Sequence, residues 1–320
     1  MDKKNSKIYA GFITYGKSTA KYLPYFLTSL KEQSLRGVKI LAVDNSEVGD
    51  NLNYDYLKNN FPEIEIIRAG ENLGFAKAFN LMIKRAGEAG ARYFLTLNPD
   101  MILEPGMIAE LVKIMDKDGS LGSASPKILK WDFSGKAKTE IIDSCGIKLL
   151  PGLRFIDAGQ NSLDTGRLNI ISILGPSGAA AFYRLSALEK VRQDGQYFDE
   201  LMFMYKEDCD LAYRLFLAGF KSTCAAAAVA YHVRSAAGGG EKNLQVALNR
   251  KHKSRQEKKW AFLNQQIIFI KYWRRQSFKE KLNIIFYELK MIVFILMFER
   301  YLIGELVELR KIKEKIKIYE

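Results

Sequence analysis

The sequence predicts an α/β protein with a doubly wound, mostly parallel sheet and a C-terminal helical extension. Three observations carry that prediction. Short apolar runs alternate with helix-period segments through the first 120 residues, the pattern of repeated strand–helix units. Polar clusters follow successive strand-like runs at Asp44, Asn72 and Asp100, and open α/β sheets bind ligands beyond the carboxyl ends of their strands. Beyond residue 240 the chain becomes basic, aromatic and helical in period.

Residues 8–15 read as a buried first strand, and Leu23, Phe26, Leu27 and Leu30 then keep helical spacing. Residues 38–43 form a second strand, ending at Asp44-Asn45-Ser46. Residues 64–67 form a third, followed by Glu71-Asn72-Leu73-Gly74-Phe75-Ala76 and a helix through Phe79, Ile83 and Ala86. A fourth strand, 93–97, ends at Asn98-Pro99-Asp100, and a helix over 107–115 completes the series. Residues 127–168, frequent in Gly, Asp and Ser, read as a long excursion that shapes a binding site. Residues 170–174 return to the core, and the small residues of 175–182 allow close approach to the backbone.

The stretch Met204-Tyr205-Lys206-Glu207-Asp208-Cys209-Asp210-Leu211 is the centre of the functional reading. Leu211, Leu215 and Ala218 fix a helix that starts at the acids and stops at Gly219. The helix dipole favours acids in its first turn, and one acid is enough to cap it. Glu207 and Asp208 together therefore suggest more than capping: a carboxylate on a rigid element at a cleft is what general-base chemistry needs. Asp210 is assigned to the cap. A last strand over 225–231 delivers His232, one of two histidines in the chain.

The 320 residues accommodate one large α/β domain plus an extension. Three cysteines without C-x-x-C spacing indicate neither a disulfide framework nor a zinc site, which suits a reducing cytoplasm. The N-terminal Met1-Asp2-Lys3-Lys4 lacks the apolar core of a signal peptide. Neither G-x-G-x-x-G after the first strand nor G-x-x-x-x-G-K-[ST] occurs, which disfavours dinucleotide cofactors and P-loop chemistry. Charge is unevenly placed: residues 241–320 carry 19 Lys/Arg against 9 Asp/Glu (+10), and the first 240 carry 30 against 27 (+3). Basic tails meet nucleic acid or an anionic membrane surface.

Taken in order, Thr14-Tyr15, Val43-Asp44-Asn45-Ser46, Asn72-Leu73-Gly74-Phe75-Ala76 with Asn80, Leu97-Asn98-Pro99-Asp100, Gly178-Ala179, Phe198-Asp199-Glu200, the acidic stretch, His232 and Arg234-Ser235 resemble a family two inverting glycosyltransferase of the GT-A fold. The texture is that of bacterial rhamnosyltransferases that build surface polysaccharides. The resemblance covers about residues 7–235. It implies a glycosyltransferase domain over residues 1–235 and a basic amphipathic extension over 236–320. Asp44 would hydrogen-bond the pyrimidine of a dTDP- or UDP-sugar. Thr14, Tyr15, Asn45, Asn72, Gly74, Phe75, Asn80, Asn98 and Gly178 would complete the donor site. Asp100 and His232 would hold Mg²⁺ or Mn²⁺. Asn98 replaces the first acid of the usual D-x-D motif, and a hard cation tolerates this because it keeps waters and phosphates. Asp208 would be the base, with Glu207 orienting the acceptor. Two departures bear on donor fit: Gly16 follows Tyr15 where Asn is commoner, and Ala78 replaces a frequent glycine.

In the tail, cations and aromatics interleave over 250–281, with a solvated helical face as the default reading. Residues 282–303 are very apolar, but Glu288, Lys290, Glu299 and Arg300 interrupt them, whereas a spanning helix needs roughly 20 apolar residues. An interfacial amphipathic helix fits better, placing the enzyme at the inner face of the plasma membrane beside a lipid-linked or saccharide acceptor. Leu302, Leu306, Leu309, Ile312 and Ile316 offer a seam for a partner chain, hence a homo-oligomer. Two rivals are weighed. A nucleic-acid binder would use the basic tail, but the first 240 residues are nearly neutral and carry no recognised motif. A sugar nucleotidyltransferase would need an early Gly-rich triphosphate loop, which is missing.

Overall fold

The computed structural model describes residues 7–166, 172–233 and 253–319. The sheet runs in the order β3(Glu65–Gly70), β2(Lys39–Glu47), β1(Ile8–Thr14), β4(Tyr93–Leu97), β11(Ala180–Arg184), β6(Leu121–Asp132), β12(Lys221–His232), β10(Ser172–Ile173). β5(Met101–Leu103) pairs with β12 and β7(Ala137–Ser144) with β6, while β8(Ile147–Leu150) and β9(Arg154–Asp157) form a separate hairpin. The pairs β1–β2, β2–β3, β1–β4 and β6–β12 are parallel. β11 enters antiparallel between β4 and β6. The chain leaves β1 in one direction for β2 and β3, and the other side of β1 is taken by β4. This reversal opens a crevice beyond the strand ends that carry Tyr15 and Asn98.

The helices are α1(Gly16–Ala20), α2(Leu23–Lys31), α3(Leu52–Asn60), α4(Gly74–Glu88), α5(Met107–Lys117), α6(Leu185–Val191), α7(Glu207–Leu217), α8(Arg255–Tyr272), α9(Phe278–Phe298) and α10(Ile303–Ile312). Two apolar layers cover the sheet. Leu23, Phe26 and Leu27 of α2 pack with Met107, Ile108 and Leu111 of α5 on one face. Phe79, Met82 and Ile83 of α4 pack with Leu211 and Leu215 of α7 on the other.

Three sequence expectations change. Residues 127–132 belong to the long central strand β6, not to a surface excursion. Its polar residues disguise it because they are buried in pairs: Ser123 Oγ lies 2.8 Å from Ser222 Oγ, and Lys127 Nζ donates to Asp164 at 2.5 Å. Pro126 cannot donate to a ladder, and β12 bulges opposite it between Ala225 and Val229. Second, α8 is no solvated face. Phe262, Ile267, Ile268, Phe269 and Tyr272 are buried, and most of them share a core with Cys209, Ala212 and Tyr213 of α7. A capping box starts α8, with Ser254 and Glu257 each bonding the other's backbone N–H. Third, part of the seam proposed for a partner chain is used internally: Leu309, Ile312 and Ile316 pack on that same core. The expected domain boundary at 235, like Arg234-Ser235, Arg250 and Lys251, lies outside the described residues. All three cysteines are free and buried.

Candidate active site

The acids of α7 are presented by a strained turn. Tyr205 and Lys206 both adopt left-handed backbone (φ 73° and 72°) immediately before Glu207, and non-glycine residues in that region cost about 1–3 kcal/mol each. The surroundings hold them there. Asn264 of α8 donates through Nδ2 to the carbonyls of Met204 (2.9 Å) and Tyr205 (2.6 Å). Tyr205 donates its hydroxyl to Glu257 (2.5 Å), and Phe203 packs on Trp260 with ring centroids 4.9 Å apart. The basic extension thus shapes the loop that aims the acids.

Asp208 sits at the wall of a cavity of about 760 Å³ beyond the strand ends. One carboxylate oxygen accepts from the Gly178 amide (2.9 Å), the other from the Cys209 amide (2.8 Å). Gly178 leaves room for this approach, since a Cβ there would lie 3.3 Å from both Asp208 Oδ2 and the Phe75 ring. Gly74 is equally constrained: at φ +73°, a Cβ would come within 2.4 Å of the Phe203 carbonyl, to which Phe75 donates its N–H. Burial pushes the Asp208 carboxyl upward, with Asp157 adding to the rise, and the two amide bonds hold it partly down. Glu207 is buried beside it, and burial followed by the Asp208 charge pushes its carboxyl well above the usual range. Its Oε2 has no hydrogen-bond partner among the described residues.

Asp210 is corrected. It does not cap the helix: it is fully buried and neutralised by Arg214 (Nε to Oδ2, 2.9 Å) and by Lys271 of α8 (Nζ to Oδ1, 2.8 Å). Tyr272 also donates to it at 2.7 Å. Burial alone would raise its carboxyl, but Lys271 and Arg214 lower it to about 2. Its work is to tie α7 to α8.

In the same cavity, Asp100 and His232 face each other, with His232 Nε2 3.2 Å from Asp100 Oδ1. Asp143, buried and absent from the sequence-derived set, takes the other ring nitrogen: His232 Nδ1 lies 2.8 Å from its Oδ2. Burial works against charge on His232, yet Asp100 and Asp143 raise its pKa to about 10. Asp100 is raised by burial and lowered, net, by His232. A hard cation with ligands at about 2.1 Å sets neighbouring donors about 3 Å apart, so the observed separation fits one ion shared by both side chains. The Asp143 contact is the support that a metal-binding imidazole normally has behind it. Among the described residues no group of three or more His, Cys, Asp or Glu side chains is arranged to hold an ion, so water and phosphate oxygens would complete the shell.

Tyr15, Asn45, Asn72, Gly74, Phe75, Asn98 and Gly178 all line the cavity. Thr14, Asp44 and Asn80 do not. Thr14 donates to Asp44 Oδ1 (2.9 Å), which also accepts from the Ser46 hydroxyl (2.6 Å), and both Thr14 and Asp44 are buried. Asn45 does reach the cavity, and its Oδ1 lacks a partner among the described residues. The donor role expected of Asn80 is corrected: its amide clamps residues 197–200, donating to Phe198 O and Glu200 and accepting from the Tyr197 and Phe198 amides. Asp143 and Asn264 were not among the expected residues. Asp143 stands in the supposed excursion, and Asn264 has no motif around it.

A switch-point cavity with an open carboxylate on one wall and an Asp–His pair on another defines the class: a transferase acting on an anionic, nucleotide-like donor. The chain belongs to the family described as Glycosyl transferase family 2, whose sequence model matches residues 11–192. That match ends before α7, so the assignments of Asp208 and His232 rest on the geometry above. The chain is 27% identical over 273 residues to N-acetylglucosaminyl-diphospho-decaprenol L-rhamnosyltransferase of Mycobacterium tuberculosis, covering 75% of this chain and 80% of that protein. It is 31% identical over 147 residues to the dTDP-rhamnosyl transferase RfbF of Shigella flexneri, covering 45% and 44%. A crystal structure of GalNAc-T7 with UDP, GalNAc and Mn²⁺ shares the fold, with a TM-score of 0.55 and 14% identity over 72% of this chain and 44% of that one. The protein is a glycosyltransferase.

Proposed function

We propose that the protein transfers rhamnose from dTDP-rhamnose, with a UDP-hexose as second choice, to a lipid-linked saccharide with inversion at the anomeric carbon. The observation that carries this reading is the presence of Asp208 and the Asp100–His232 pair in one cavity. Asp208 accepts the proton of the acceptor hydroxyl. The oxygen thus freed bonds to the anomeric carbon from one face as the bond to the nucleoside diphosphate breaks on the other. The Gly178 and Cys209 amides fix the carboxylate for that task. Asp100 and His232 would hold Mg²⁺ or Mn²⁺, which when bound supplies positive charge for the departing diphosphate. Asn45 offers a free acceptor for an N–H of the pyrimidine, with Asp44 and Thr14 bracing the turn behind it. Glu207 meets the acceptor.

Thermal-shift titration with dTDP-rhamnose and a panel of UDP-hexoses, with and without Mn²⁺, tests the donor and the cation. Stabilisation is expected for one pyrimidine donor and only with the cation. His232→Ala should weaken cation binding by 10- to 100-fold or more, the scale set by losing even an outer-shell partner. No stabilisation by any of these donors would contradict the reading.

The comparisons support an acceptor that resides in a membrane, and α9 supports attachment at the inner face of the plasma membrane. No helix of the described residues is long and apolar enough to cross a bilayer. Phe286, Val293 and Met297, 60%, 57% and 64% exposed, share one helical face, while Lys279, Lys290, Arg274, Arg275 and Arg300 are exposed around it. Such a surface lies in an anionic interface, each nearby cation adding about 1 kcal/mol. The full chain should sediment with anionic vesicles, and Phe286→Ser with Val293→Ser should release it. Unchanged sedimentation would refute this attachment.

A further inference from the structure

The catalytic cavity does not end at the acids. Between α8 and α9 runs an apolar groove of about 310 Å³, lined by Phe269, Ile270, Trp273, Ile285, Leu289 and Ile292 among others. Gln266 and Glu288 line both this groove and the catalytic cavity, and Gln266 donates to Glu288 Oε2 at 2.9 Å across the junction. On the cavity side stand Tyr287 and Met291 of α9, with Arg154 of β9 placing its guanidinium 5.8 Å from the Tyr287 ring. From the reaction centre outward, the path therefore passes a cation, a polar bridge and an apolar trough. The trough faces solvent: Ile285, Leu289 and Ile292 are 45%, 54% and 49% exposed.

An amphiphile with an anionic head and a long hydrocarbon tail matches that sequence of surfaces. We propose that the α8–α9 groove binds the first part of the polyisoprenoid chain of a lipid-diphosphate-linked acceptor and so delivers its glycan end to Asp208. This rests on the reading of the acceptor as lipid-linked. The continuity with the catalytic cavity singles out this occupant over a bilayer acyl chain, which has no reason to reach the acids. Arg154 lies where the diphosphate would pass. The groove side of α9 differs from the Phe286–Val293–Met297 face, so substrate capture and surface attachment are separable.

The test is calorimetric titration of the full chain, free of vesicles and detergent, with the nucleotide site first saturated with dTDP or UDP and Mn²⁺. Farnesyl diphosphate and methyl diphosphate are the probes. Farnesyl diphosphate should bind about tenfold tighter or more, because its chain buries apolar surface the methyl group lacks. Ile285→Gln with Leu289→Gln should bring the two probes within about twofold of each other, leaving methyl diphosphate and nucleotide affinity unchanged. Equal affinities in the unaltered chain, or a farnesyl preference surviving in the double variant, would overturn the proposal. A chain that binds nucleotide without preferring farnesyl loses the groove and keeps its donor reading. A farnesyl preference without nucleotide binding supports the groove and removes the donor reading.

Discussion

Asp208→Asn will abolish transfer while leaving the fold intact and donor affinity nearly unchanged. The amide is isosteric and its oxygen can still accept from the Gly178 N–H, while the Cys209 N–H, in the first turn of α7, loses its side-chain acceptor. What is lost is the proton acceptor, and general-base catalysis contributes about 10²- to 10⁴-fold. The fall should appear in kcat and not in the KM for donor. The unaltered enzyme should lose activity as the pH falls through a carboxyl value lying above the ordinary 3.8, because burial raises Asp208 and only its ionised form accepts a proton. The same shift sets the stability. A carboxyl raised by folding opposes the folded state above its unfolded pKa, and relief of that burden offsets the lost Cys209 bond, so the Tm of the Asn variant should stay close to that of the parent. Steady-state kinetics and calorimetry on one preparation check both. Full activity would remove Asp208 as base, and a collapsed Tm would make it structural.

Asp210→Asn, two residues along the same helix, will do the reverse. Asp210 is the common partner of buried Arg214 and Lys271, and breaking a buried ion pair by removing one side costs about 3–5 kcal/mol. The Tm should fall by many degrees, with activity following it. The acid limb of stability has the opposite sign too. The folded pKa of about 2 lies below the ordinary 3.8, so the contribution is complete above 3.8 and disappears as the pH falls through about 2. Denaturant midpoints measured between pH 5 and 2 should show this loss in the parent and less of it in the variant. A stable Asp210→Asn protein would refute the ionic tie between α7 and α8.

These neighbours show what the sequence could and could not convey. Period and spacing read the strand–helix series, the acids at the start of α7 and the histidine at the end of β12, because each follows from the local apolar pattern. Eight of the eleven expected donor residues line the cavity, all but Thr14, Asp44 and Asn80. The roles of neighbouring acids were not legible. Asp208 and Asp210 have the same chemistry and nearly the same place in the chain, and only the direction each faces, one to the cavity and one to Lys271, separates the proposed base from the brace. Asp143 was hidden for a similar reason: it acts on His232 from 89 residues away, and nothing local marks it. β6 escaped because its buried serines and Lys127 are satisfied by distant partners, which erases the apolar signal. Asn80, read as a donor residue, sits on an apolar helix and spends its amide on residues 197–200.

The extension carried the largest reassignment. Its cations suggested a solvated or lipid-facing surface throughout, yet Lys258 and Lys259 pair with Glu299 (3.0 Å) and Glu305 (3.1 Å), and Lys271 enters the core. α8 is thereby part of the machinery that holds the strained turn before Glu207, and α9 is left to meet what lies outside.

The proposed transfer is a single displacement by the acceptor hydroxyl, with one carboxylate, Asp208, as its base. Its most direct test is the anomeric configuration of the product, read by NMR coupling constants after transfer from the donor that the thermal-shift panel selects. The account predicts a glycosidic bond of configuration opposite to that of the sugar nucleotide. A product that retains the donor's configuration would require a second step at the anomeric carbon, and would contradict it.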